Sequence, residues 1–86
     1  MTPSSTRRLA VCRAGDRVIV GSVDGDPARI NRLAALGILP GAELRVQQTR
    51  PVVIVESDET VLALEREIAA AVIVVDLVEE AARAAE

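Results

Sequence analysis

A small barrel of five short strands is the fold this sequence predicts. It carries a short helix between the first two strands, a helical turn before the fifth and a short C-terminal helix. Three observations predict it. The chain has 86 residues, room for one domain with a thin core. Half the residues are apolar and none is aromatic, and the apolar ones gather in short runs rich in Val and Ile, the residues that suit a pleated, half-buried surface. Gly, Pro and Asp punctuate those runs at close intervals, so the connections are tight. Closing so small a sheet on itself removes the exposed edges that would otherwise recruit other chains.

Taken in order, residues 1–8 read as a polar, flexible leader, residues 9–75 as the barrel and residues 76–86 as a helical tail. Ala14-Gly15 precedes a first strand over residues 17–23, and Gly21 inside it predicts a bulge or sharp bend. Asp26 and Pro27 open a helix as N-cap and first helical residue. Ile30, Leu33 and Ala34 follow at helical spacing, and Gly37 ends the helix as a residue that accepts positive φ. Pro40-Gly41 reads as a turn with Pro fixing φ at its second position and Gly supplying positive φ at its third. Residues 42–47 alternate polar and apolar, as a half-buried strand does. Pro51 starts a further strand over residues 52–56, and a tight connection at Ser57-Asp58-Glu59 returns the chain as a hairpin over residues 60–64. A helical turn over 65–70 leads into the last strand, 72–75. Asp76 is then expected to cap the tail, whose Leu77, Val78, Ala81, Ala82 and Ala85 offer an apolar face for docking. Four consecutive apolar residues, Val52 to Val55, require a cover, either the tail or a second copy of the chain.

Composition excludes more functions than it suggests. There is no His, the commonest general base and metal ligand. A single Cys allows neither an intramolecular disulfide nor a thiolate zinc cluster, and Cys12 reads as a small hydrophobe at the start of the fold. No Gly-rich loop ending in Lys-Ser/Thr is present to cradle phosphate. Asp24-Gly25-Asp26 opens like a calcium loop, but Ala28 stands where the next ligand belongs and the closing Glu is missing. We therefore expect no catalytic residues, no cofactor and no metal site. The net charge is −3 and every basic residue is Arg. Acids separate these arginines along the chain, so no basic face for nucleic acid is expected. Arg7-Arg8 and Leu9-Ala10-Val11-Cys12 superficially match secretion signals, yet Arg13, Asp16 and Arg17 interrupt the apolar stretch such signals need. The longest apolar run, residues 68–75, falls short of a membrane span. A cytoplasmic protein is expected, without membrane insertion. Because Pro-rich peptides are bound in aromatic-lined grooves, an aromatic-free barrel should not bind them by that route.

Two stretches resemble the FeoA family of bacterial ferrous-iron-transport accessory proteins. The segment Arg32-Leu33-Ala34-Ala35-Leu36-Gly37-Ile38-Leu39-Pro40-Gly41-Ala42-Glu43-Leu44-Arg45-Val46 is similar to that family's leucine-bearing helix, its Leu-Gly-Ile/Leu-x-Pro-Gly and its alternating strand. The segment from Ala63-Leu64-Glu65-Arg66 to Val72-Ile73-Val74, with Ala69 inside it, resembles the family's Ala-Leu-Arg-x-x-x-Ala-x-x-Ile-x-Val ending. Ala14-Gly15-Asp16 fits its opening. The resemblance implies an SH3-like barrel in the cytoplasm that holds no cofactor and supports a FeoB-like membrane iron transporter through its cytosolic GTPase region. Glu65 stands where the family usually has Arg, and the 48–51 connection is shorter than is common there.

Gly15, Leu33, Leu36, Gly37, Pro40, Gly41, Leu64 and Ala69 carry the resemblance, and each of the three motif residues Gly37, Pro40 and Gly41 has a backbone reason to be where it is. As contacts for a partner the reading singles out Arg29 and Arg32 on one side of the first helix, with Glu65 and Arg66 at the second. The alternative function is a free-standing regulatory or dimerisation module like the C-terminal SH3-like domain of iron- or manganese-dependent repressors. A translation-type barrel rests only on Gly15-Asp16-Arg17-Val18, and the acidic pI of about 4.9 disfavours it. A weak homodimer or oligomer through the tail or an exposed strand is also expected, since domains this small are often helped by association.

Overall fold

The computed structural model of the chain describes residues 6–58 and 60–77. They form β1 (Thr6–Arg8), a 3₁₀ turn (Leu9–Val11), β2 (Arg17–Val23), α1 (Pro27–Ala35), β3 (Glu43–Gln48), β4 (Val53–Ser57), β5 (Thr60–Leu64), α2 (Arg66–Ala69) and β6 (Val72–Asp76). The strands make one six-stranded antiparallel sheet in the order β1-β6-β2-β3-β4-β5. It is the mostly β, SH3-like architecture expected, with two differences. A sixth strand is present, and among the described residues no ladder joins β5 back to β1, so the curl is not closed by hydrogen bonds.

The additional strand corrects the leader reading for Thr6–Arg8; residues 1–5 lie outside the described residues. Thr6, Arg7 and Arg8 pair with Val75, Val74 and Ile73 of β6. Two arginines in three residues hide this strand from a hydrophobic-pattern search. Its charges are engaged: Arg7 donates to Asp16 and Asp76, and Arg8 to Asp24 and the Ala70 carbonyl. Asp76 ends β6 opposite Val18, and its carboxylate accepts from Arg7; the helix it is expected to cap lies outside the described residues. The tail from 78 to 86, with its expected helix and apolar face, lies outside the described residues.

Every strand from β2 to β6 sends alternate residues inward, as a period of two demands. Val18 and Val20, Leu44 and Val46, Val53 and Val55, Leu64, and Val72 and Val74 meet Leu9, Cys12, Leu33, Ile38 and Ala69 in one core. Among the described residues no polar or charged side chain is buried in it. The run Val52–Val55 resolves the same way. Val53 and Val55 are fully buried while Val52 and Ile54 are partly covered, so the strand does not present a bare apolar face. The β2–β6 register shifts between Val20 and Ser22, which places the bulge at Gly21 as the sequence predicts.

The Leu-Gly-Ile-Leu-Pro-Gly segment has a mechanical explanation. Asp26 caps α1 by accepting from the Arg29 N–H at 2.9 Å, with Pro27 at the first helical position. At the other end Gly37 N–H donates to the Ala34 carbonyl and Ile38 N–H to the Leu33 carbonyl, both at 2.9 Å. This is the paired closure that needs positive φ at the residue after the cap, and Gly37 has φ +94°. Leu33 and Ile38, the two apolar residues that accompany such an ending, are both buried. Leu39 C=O then accepts from Ala42 N–H across Pro40-Gly41, and Gly41 N–H donates to Val20 C=O at 2.8 Å. The turn is thereby tied to β2 and sets the start of β3.

Candidate functional site

The sheet leaves three surfaces with distinct chemistry. The first lies where β1, the loop before β2 and the end of β6 converge. Arg13 N–H and Arg7 both donate to the Asp16 carboxylate, at 2.9 and 3.2 Å, and Arg7 also reaches Asp76. The Asp76 carboxylate holds the Arg7 guanidinium above even its ordinary high pKa, against the opposing effect of its burial. Gly15 shapes this loop at φ +97°, and its N–H donates to the Val46 carbonyl at 2.7 Å. Cys12 packs beneath with its thiol buried, and that burial raises its pKa. A low-pKa, accessible thiolate is what a reactive cysteine needs, so Cys12 here is a packing residue. The arrangement is a clasp holding β1 to the sheet.

The second surface is an open groove of about 590 Å³ lined by Arg17, Glu43, Arg45, Glu56, Asp58 and Leu77, among others. Arg17 lies directly across from Arg45, and Arg45 from Glu56. Its wall is therefore of mixed charge, unlike the largely apolar clefts that take small molecules. Among the described residues no group of three or more His, Cys, Asp or Glu is placed to hold a metal ion.

The third surface surrounds the C-terminal end of α1. Leu36 and Leu39 are 45% and 43% exposed, on either side of Gly37 and buried Ile38, and Arg32 is exposed one turn earlier on α1. Leu36 is thus not a core residue although it sits in the helix motif. As the C-cap of α1 it turns outward while Leu33 turns in. Of the residues singled out as partner contacts, Arg32 is exposed and Arg29 half-buried, its side chain lying against Gly25. Glu65 is exposed at the N-cap of α2, whereas Arg66 donates to the Thr49 carbonyl and so serves the fold. No ion pair among the described residues joins the α1 pair to the α2 pair. Leu64 and Ala69 are buried. Sequence reasoning missed the Arg7 clasp and the outward Leu36–Leu39 pair. The first has no local signature, and the second differs from a core pattern only through the helix ending.

The described residues make a small SH3-like sheet whose distinguishing surface features face outward. The sequence matches the FeoA domain over residues 7–76, nearly all of the described fold, and the chain belongs to that family. Among curated proteins no match is found. Among solved structures it is similar to an iron uptake regulatory protein, FeoA, at 25% identity and a TM-score of 0.80, covering 85% of this chain and 100% of that one. The FeoA protein from Chlorobium tepidum is 34% identical with a TM-score of 0.75, over 83% of this chain and 70% of that one. A manganese-dependent transcriptional repressor is 30% identical with a TM-score of 0.78, over 90% of this chain but only 45% of the repressor. Among the described residues no helix is long and apolar enough to cross a membrane.

Proposed function

We propose that this chain is a non-enzymatic accessory module of ferrous iron transport that acts in the cytoplasm on a FeoB-like transporter, through that protein's cytosolic GTPase region. The observation that carries this reading is the FeoA-domain match from residue 7 to residue 76. It takes in both helices and every described strand except the first residue of β1, so the likeness is of a whole domain and not of one motif. The exposed Arg32, Leu36 and Leu39 supply a contact of suitable character, a small apolar pair beside a cation. A patch of that size favours a weak, reversible association over an obligate complex. The test is the GTP hydrolysis rate of the soluble transporter region with and without this chain. The reading expects a saturable change in rate that Arg32→Glu weakens, and an unchanged rate together with absence of binding counts against it.

A second reading draws on the repressor likeness, which covers 90% of this chain. In it the chain is a free-standing counterpart of the repressor's SH3-like part, regulating or dimerising with a transcription factor. Retention of this chain by an immobilised metal-dependent repressor, and not by the transporter region, favours that reading.

A further inference from the structure

The two edges of the sheet are built differently. Edge strands present unpaired N–H and C=O groups, and proteins blunt them by shortening, by charge, by Pro or by bulges. β1 is short and charged, three residues of which two are arginines held in ion pairs and hydrogen bonds. β5 has none of these devices. Its five residues, Thr-Val-Leu-Ala-Leu, carry no charge and no Pro, and its register with β4 runs without a shift from Val53↔Leu64 to Ser57↔Thr60. Ser57 and Thr60 flank a two-residue connection, and in such hairpins the flanking pair exchanges hydrogen bonds. Alternation along an antiparallel ladder then turns the backbone groups of Val61 and Ala63 away from β4. Those same residues have exposed side chains, Val61 at 57%. Among the described residues no strand pairs with that side of β5, so an open ladder and an apolar surface coincide on one edge.

Charge says what the edge accepts. Asp58 precedes the strand and Glu65 follows it, with Glu67 exposed beyond, so both ends are acidic; Glu56, directly across from Val61, faces Arg45 on its other side. The nearest cation in sequence, Arg66, is occupied by the Thr49 carbonyl. A second copy fits poorly: antiparallel pairing about Leu62 brings the Asp58 end of one copy beside Glu65 and Glu67 of the other, like charges gathered at each end of the ladder. We infer that β5 is a docking edge for an extended segment of a partner that adds as a seventh strand, with alternating small apolar side chains and basic residues at its ends. This goes beyond the proposed transport role and does not depend on it.

The test is amide exchange of the full-length, isotopically labelled chain with a short synthetic peptide of alternating Thr and Val flanked by Lys. The same peptide flanked by Glu is the control. The basic peptide should bind saturably and slow exchange at Val61 and Ala63 by about tenfold when present at about ten times its Kd, because only unbound protein exchanges there. The acidic peptide should leave both amides unchanged. Val61→Lys, on an exposed side chain, and Ala63→Pro, which removes an outward donor at an edge where Pro is tolerated, should each abolish the protection with far-UV circular dichroism retained. The inference is overturned by equal binding of both peptides or by binding without protection at Val61 and Ala63. It is equally overturned if those two amides are already protected in the free chain, whether by its own residues or by a dimer that Val61→Lys dissociates.

Discussion

Arg7 and Asp76, 69 residues apart in sequence, are joined by a hydrogen bond that ties the first described strand to the last. Asp16 shares the same guanidinium, so one side chain unites β1, the loop before β2 and the end of β6. Arg7 is 29% exposed, between the surface pairs that contribute under about 1 kcal/mol and the buried ones whose breakage costs about 3–5 kcal/mol. Replacing Arg7 by Met should therefore lower stability by about 1–2 kcal/mol, leaving two carboxylates without their shared cation. Urea denaturation measures it, with a smaller loss expected for Asp16→Asn, since Asp76 has the larger effect on Arg7.

Gly41 gives a conformational prediction free of packing. It has φ +94°, and a Cβ built there meets no atom within 4 Å. Gly41→Ala should then cost about 1–2 kcal/mol from the left-handed backbone alone. Gly41→Asn should recover part of that loss, because Asn tolerates this region better. Thermal unfolding of the two variants decides it.

Alkaline pH isolates Cys12. The chain has no Lys, Tyr or His, so few groups titrate between the carboxylates and Arg. Burial raises the Cys12 pKa in the folded chain. Both states hold the proton below the ordinary thiol value of about 8.5, so the stability is fully present there. Above it the unfolded chain loses its proton first and stability falls until the folded thiol ionises too. Denaturation midpoints should decline above about pH 8.5 in the native chain and much less in Cys12→Ala. The thiolate absorbance near 240 nm, uncluttered by aromatic residues, should rise later in pH than that of the unfolded chain.

The core is thin enough for one residue to dominate it. Leu9 is fully buried in a turn that docks between β6 and α2. Leu9→Ala should cost about 3 kcal/mol, a large share of the roughly 4–13 kcal/mol open to a chain of this size. A fall in Tm of about 10–20 °C is expected by calorimetry.

Most of the fold could be read from the chain because its signals are local. Asp26-Pro27 and Gly37 bound α1, Gly21 marks the bulge, and alternation over residues 43–48 separates inward Leu44 and Val46 from outward Glu43, Arg45 and Gln47. What escaped depends on long-range pairing. β1 is too short and too charged to carry a period, and only its match to β6 across the molecule makes it a strand. Asp76 belongs to β6 through its ladder partner Val18 and its ion partner Arg7, both far away in sequence. The candidate surface was legible in part. Arg32 is exposed as expected, Arg66 is drawn into the fold by Thr49, and Leu36 faces solvent because the helix ends at it.

The most direct test is a titration of the labelled chain with the soluble GTPase region of a FeoB-like transporter, followed by amide chemical shifts. Binding through the end of α1 predicts saturable shifts centred on Arg32, Leu36 and Leu39, with core amides such as Val55 unmoved. A spectrum that stays unchanged throughout, while the same GTPase region is folded and active, contradicts the account.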